Sequence, residues 1–316
     1  MIKTSQPLST GEELRWEQFG SRIQATKKCL SIENPEMVFY ALVDTRGLPA
    51  LRGALERLDM IQFEALWDGT DLSAHKDVSP LLITVDLASS TSDIPLQLLR
   101  RLWKFSDEGF MVTWIWSPYA LDELAAHFRS YCEYRLPDRR AFYLHFYDNR
   151  ILERLRLTWT EEEQGRFASV AFQIWYRSRA GEDCVWCTDL PQPPEGAAER
   201  GMTSEQHLAL LSLGRADKLA SQIKKNLGGL VRHLSSEELY RAVFEQIERA
   251  GRYRISDELD MQRYVLNGLR FSPRFDEHLS IRYLLDLASH GDITFEVALS
   301  KIDEKFQNGF ADQLSQ

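Results

Sequence analysis

Apolar residues at Trp16, Phe19, Ile23 and Leu30 recur at helical spacing and predict a helix over Glu12–Leu30. Strand-like and helix-like segments then alternate. Met37–Val43 reads as a buried strand and Gly47–Leu58 as the helix after it. Pro80–Val85 is a second strand, followed by a helix over Ile94–Trp103. Gly109–Trp116 is apolar at consecutive positions, as a strand covered on both faces must be. Ser117-Pro118 reads as the start of the next helix, and Leu121, Leu124, Ala125 and Phe128 form its inward stripe. Ala141–Tyr147 is a fourth strand, Asn149–Leu157 a helix, and Ser169–Arg177 a fifth strand, with Asp183–Thr188 returning as a hairpin.

The pattern breaks at Pro191–Gly201, where three prolines and two glycines fall among eleven residues without a large apolar side chain. Beyond it every periodic segment is helical. Thr203–Asn226 carries leucines at 208, 211 and 219, and Ser235 with Glu238 forms a capping box ahead of Leu239, Val243 and Ile247. Ser256 can cap a third helix, Ile281–Ala288 marks a fourth and Phe295–Phe306 a fifth. The expectation is an α/β N-terminal lobe with a mostly parallel or mixed sheet over residues 1–190. A linker over 191–202 and an all-α lobe over 203–316 follow.

Charge narrows the partners. The formal net charge is −9, and neither residues 1–200 (23 basic, 30 acidic) nor 201–316 (15 basic, 17 acidic) is basic. Nucleic-acid binding draws on cations that neutralise phosphates, so no nucleic-acid partner is expected. The cationic run Arg215, Lys218, Lys224, Lys225 and Arg232 reads as a solvated helix face. The N-terminal residues show no secretory apolar run. The longest apolar stretches fall far short of the ~20 residues that span a bilayer, so no membrane partner and a cytoplasmic location are expected. Cysteines at 29, 132, 184 and 187 make no disulfide framework.

Candidate chemistry is sparse. The chain has no G-x-x-x-x-G-K-[ST], no G-x-G-x-x-G after a strand and no G-x-S-x-G. Its seven histidines never fall within five residues of one another. Cys184-Val-Trp-Cys187 lies in a predicted strand, where two cysteines three apart point to opposite faces. No catalytic residue, metal ligand or cofactor is therefore expected, and the chain reads as a protein that is not an enzyme. The alternative is a divergent hydrolase or phosphotransferase using Asp44 at the carboxyl edge of the sheet, where open α/β sheets place ligands. Asp44 reads more simply as the cap of the following helix, and His145 as a hydrogen-bonded sheet histidine.

Four segments come in order: Tyr40-Ala-Leu-Val-Asp44, Leu66-Trp-Asp-Gly-Thr70, Ser79-Pro-Leu-Leu82 and Phe146-Tyr-Asp-Asn-Arg-Ile-Leu152. In that order and spacing they resemble the type VI secretion effector-chaperone family (Tap-type adaptors) over residues 38–160. His145 stands where the family has arginine and Asn149 where it has proline; Arg140 and Arg150 are the arginines that could substitute. The resemblance implies a cytoplasmic adaptor that binds a secreted toxin or effector. It implies loading of that effector onto the valine-glycine-repeat (VgrG-type) spike protein. Asp44, Arg46, Arg140, Asp148 and Arg150, at or near predicted strand ends, are the candidate partner-binding residues. The α/β lobe is expected to supply the common contact and the helical lobe to select the effector.

Overall fold

Every strand of the main sheet runs antiparallel to its neighbours. The structure is a computed structural model that describes residues 9–32, 34–87, 93–194 and 200–307. The chain begins with α1 (Thr10–Leu30) and β1 (Val38–Val43), then a 3-10 turn at Thr45–Gly47 and the short α2 (Leu51–Leu55). β2 (Phe63–Ala65), β3 (Leu81–Thr84), α3 (Asp93–Gly109) and β4 (Val112–Ser117) follow. Next come α4 (Leu121–Arg129), β5 (Glu133–Arg135), β6 (Ala141–Tyr143), α5 (Asn149–Thr158) and α6 (Glu161–Ala168). β7 (Gln173–Arg177) and β8 (Asp183–Cys187) close the sheet, whose order is β2-β3-β1-β4-β7-β8.

This corrects the expectation of a mostly parallel or mixed sheet. Tyr40 of β1 lies opposite Thr84 of β3 on one side and Ile115 of β4 on the other. Because both neighbours oppose β1, β3 and β4 run parallel to each other with β1 between them and α3 as the crossover. A split crossover leaves the same strand-helix-strand trace in the sequence as a parallel unit. Both faces are also covered, so the strands are apolar throughout. Neither signal separates the two topologies.

Phe39, Ala41 and Val43 face one layer, where they pack with Ile23 of α1 and Leu98, Leu102 and Trp103 of α3. Tyr40 and Leu42 face the other, with Leu124 and Phe128 of α4, Leu152 and Leu155 of α5, and Phe167 of α6. Aromatic rings fill the first layer: Phe39 sits 4.4 Å from Trp116 and Trp116 5.9 Å from Trp175, centroid to centroid. Burying one such side chain contributes about 1.5–3 kcal/mol.

Two local expectations fail for identifiable reasons. Ser117 does not cap a helix; it ends β4, and its buried hydroxyl donates to the Val170 carbonyl at 2.7 Å. α4 starts four residues later, at Leu121, and Glu123 accepts from the N–H of its cap residue Ala120 at 3.1 Å. Ala141–Tyr147 is not a strand of the main sheet either. Only Ala141–Tyr143 is extended, as β6, paired with β5 in a separate two-stranded sheet.

One compact unit ends at Leu210 and a second begins at Leu211, so the division falls inside α7 (Ser204–Asn226). Within the expected linker, residues 195–199 lie outside the described residues. After them, the Arg135 N–H donates to the Arg200 carbonyl and the Met202 N–H to the Arg135 carbonyl. Met202 and Leu210 belong to the core of the first unit.

The second unit continues with α8 (Gly228–Val231), α9 (Ser236–Gly251), α10 (Glu258–Arg270), α11 (Leu279–His290) and α12 (Phe295–Gln307). Its core includes Ile223, Val243, Val265, Leu285 and Leu299. The Ser235–Glu238 capping box is present, whereas Asp257 rather than Ser256 caps α10. Buried Arg249 pairs with Asp276, whose carboxylate also accepts from the Tyr264 hydroxyl at 2.8 Å. No described helix is long and apolar enough to cross a membrane.

Candidate functional site

Two identical tripeptide patterns, Asp44-Thr45-Arg46 and Asp148-Asn149-Arg150, end up side by side. Asp44 follows β1, and its N–H extends the ladder by donating to the Met111 carbonyl at 2.8 Å. Its carboxylate caps the turn at Thr45–Gly47, accepting from the Arg46 N–H at 3.0 Å. Asp148 caps α5 in the same way, accepting from the Arg150 N–H at 3.1 Å. In each pattern the arginine folds back onto the capping carboxylate. Nε of Arg46 lies 2.9 Å from Oδ1 of Asp44, and Nε of Arg150 lies 2.9 Å from Oδ1 of Asp148.

The middle residues fix the patterns to the sheet. The Thr45 hydroxyl donates to the Ser79 carbonyl at 2.9 Å. Asn149 accepts from the Thr113 hydroxyl at 2.8 Å and donates through Nδ2 to the Val112 carbonyl at 3.2 Å. The Asn149 N–H also donates to the Phe110 carbonyl at 3.0 Å, a bond that proline at this position could not make. Phe110 itself has a φ of 59°, a left-handed conformation that costs a phenylalanine about 1–3 kcal/mol. The bond from Asn149 and the Arg150 guanidinium, 5.9 Å from the Phe110 ring, hold it there.

Arg46 joins the two patterns. Its Nη2 donates to Oδ2 of both Asp148, at 3.0 Å, and Asp44, at 2.5 Å, while Nε also holds Asp44. Both carboxylates are buried, Asp44 at 0% exposed and Asp148 at 4%. The side chains of Arg46 and Arg150 are 38% and 37% exposed. Solvent therefore meets guanidinium edges whose orientation is set from beneath. A planar fork presented this way suits carboxylates and carbonyls of a partner. The hydrogen bond that Arg46 donates to Asp44 is the main cause that raises the Arg46 pKa above its ordinary value. Burial pushes the Asp148 carboxyl up, but the hydrogen bond and charge of Arg150 outweigh it and leave the carboxyl below its ordinary range.

Aromatic groups wall the cluster. Tyr147 lies under Arg46, 5.9 Å from guanidinium carbon to ring centroid. The Tyr147 hydroxyl is hydrogen-bonded to Nδ1 of His145, and both rings lie beside Trp67. Burial, then the charge of Arg46, lowers the His145 pKa. Trp67 donates its backbone N–H to the Ser79 hydroxyl at 3.2 Å.

Of the five residues expected to bind a partner, four come together here. The fifth, Arg140, pairs instead with Asp138 at 2.7 Å on the exposed β5–β6 turn and lies over Phe142. The expected cap at Asp44 is present, on a 3-10 turn instead of a long helix. Thr45, Trp67, Ser79, Tyr147 and Asn149 escaped sequence reasoning as site residues. The repeated Asp-x-Arg at two predicted strand-to-helix junctions was the signal that could have joined Arg46 to Asp148. Cys184 packs against the α4–α6 layer and Cys187 is exposed, on opposite faces of β8. Among the described residues no three His, Cys, Asp or Glu side chains group as metal ligands.

No curated protein and no solved structure matches the chain. Residues 39–166, which contain all four segments that meet at this cluster, match the family described as Domain of unknown function (DUF4123), a domain known in type VI secretion effector adaptors.

Proposed function

We propose that the chain is an adaptor that binds a toxic effector of a type VI secretion system and helps load it onto a VgrG-type spike, and that it catalyses no reaction. The observation that carries this reading is convergence. The segments beginning at Tyr40, Leu66, Ser79 and Phe146 are far apart in sequence. They meet through the Thr45–Ser79, Ser79–Trp67 and Arg46–Asp148 bonds and the Trp67–Tyr147 ring contact. What they build is a surface of two fixed guanidiniums over two buried carboxylates. Asp44, the residue a hydrolase would need, is fully occupied as a cap and as the partner of Arg46.

The test is copurification of the full-length chain with the product of the neighbouring toxin gene and with the spike protein. A stoichiometric complex is expected. Arg150→Glu, at a half-exposed position, is expected to weaken it about tenfold or more, because reversing a charge at a complementary contact leaves the partner's group unpaired. Recovery of neither partner, or full affinity in the charge-reversed variant, would sink the proposal.

A further inference from the structure

The outer edge of the main sheet is built to accept another strand. Among the described residues β8 pairs with β7 alone. The Thr188 N–H donates to the Phe172 carbonyl and the Ser178 N–H to the Glu182 carbonyl, so even-numbered residues of this hairpin arm face inward. In an antiparallel ladder the alternate residues, Asp183, Val185 and Cys187, then turn their N–H and C=O groups outward. Among the described residues no hydrogen bond reaches those backbone groups. Proteins commonly blunt such an edge with lysine, proline or a bulge. β8 carries no lysine and no proline, its one charged residue, Asp183, is paired with Arg22 and Arg177, and Val185 is 37% exposed.

A cavity of about 180 Å³ lies on the same face of the sheet. Phe19, Trp114 and Trp175 form its walls. Among the described residues, Arg15, Arg22, Arg177 and Asp183 line it as well, three cations to one carboxylate. Arg22 lies 4.1 Å above the Trp175 ring, and Arg22 and Arg177 share the Asp183 carboxylate at 2.8 and 3.2 Å. Trp175 stands directly opposite Val185, so a strand added outside β8 would carry alternate side chains onto this face, beside the cavity. The volume suits one side chain, and the lining suits an acidic one.

We propose that β8 is a strand-addition site for an extended segment of a partner protein, anchored by an acidic side chain in the cavity beside Arg22 and Arg177. This rests on the reading of the chain as a partner-binding protein. Backbone pairing supplies affinity in such a mode, and the side-chain pocket supplies selectivity.

The full-length chain, immobilised, is panned against a phage-displayed library of random dodecapeptides. Enriched peptides are expected to carry an Asp or Glu between β-branched or aromatic residues. They should slow hydrogen exchange at the outward amides of Val185 and Cys187. Val185→Pro removes only an outward N–H, so it should leave the fold intact and weaken those peptides about tenfold or more. Should that variant misfold, Val185→Lys puts a charge on the same edge with the ladder intact and should weaken them likewise. Arg22→Gln should cut the preference for the acidic residue about fivefold. No enrichment, or full affinity in a folded edge variant, overturns the proposal. A dimer that the edge variant dissociates also overturns it, since the occupant is then a second copy. Failure of toxin and spike to copurify would leave the peptide result standing, so the two proposals fail separately.

Discussion

Arg46 holds two buried carboxylates at once: Asp44, two residues before it, and Asp148, 102 residues after it. One side chain thus ties the end of β1 to the start of α5. Replacing Asp44 or Asp148 by alanine removes a helix cap and strands part of that guanidinium. Each is expected to cost about 2 kcal/mol, discounted from the buried-pair figure because Arg46 is partly exposed. In an Arg46→Ala background each loss should shrink, and urea unfolding of the double-mutant cycle measures by how much. Strictly additive costs would mean the three side chains do not act as one unit.

Acid should weaken the first unit in two stages. The folded pKa of His145 lies below its ordinary value of 6.5, so the unfolded chain takes up that proton first as pH falls. Its contribution is complete above about pH 6.5 and is lost below it. The folded pKa of Asp148 lies below its ordinary 3.8, so that contribution is complete above 3.8 and fades as pH drops through the folded value. His145→Gln should abolish the first stage and spare the second. Melting temperatures of the native chain that stay flat from pH 7.5 to 5 would contradict the assignment.

The four thiols should separate by exposure. Burial pushes the Cys132 pKa up to about 12, whereas Cys29 and Cys187 are exposed and Cys184 is partly covered. Ellman's reagent should titrate Cys29 and Cys187 quickly, Cys184 slowly, and Cys132 only on unfolding, because the thiolate is the reactive form. A third fast thiol in the native chain would count against the packing described.

Cutting the chain at its prolines should damage the first unit. Met202 and Leu210 are buried in that unit's core, and residues 200 and 202 hydrogen-bond Arg135. Residues 1–210 are expected to unfold cooperatively. Residues 1–190 should be less stable by about 3–6 kcal/mol, the value of two buried apolar side chains. Equal urea midpoints for the two fragments would show that the segment contributes nothing.

The helical half was legible because periodicity and caps act locally. Ser235 and Glu238, or Leu239 and Val243, need no distant partner to declare a helix. The sheet's elements were legible too, but its direction was not. Strand orientation depends on what lies between β3 and β4, and nothing in Pro80–Val85 or Gly109–Trp116 encodes that β1 is inserted there. Asp44 was recognisable as a cap at the end of a strand, and Asp148 stood out only as the residue after a predicted strand that the structure shortens to Ala141–Tyr143. Their connection through Arg46 was not recognisable, since charge pairing across 102 positions leaves no periodic trace. Arg140 and Arg150 each follow an aspartate by two residues, so the sequence could not separate them; only the fold shows that Asp138 is exposed on a turn and Asp148 buried beside Arg46.

The insertion of β1 between two later strands also sets a schedule for synthesis. β1 is central to the sheet, yet β4, its longest-paired neighbour, starts at Val112. At roughly 5–20 residues per second, the stretch from Val43 to Val112 takes a ribosome about 3–14 s. Through that interval a strand apolar on both faces has at most β3 beside it. The nascent chain is therefore most prone to aggregate before Trp116 emerges, and a stall in that window harms yield more than one after it.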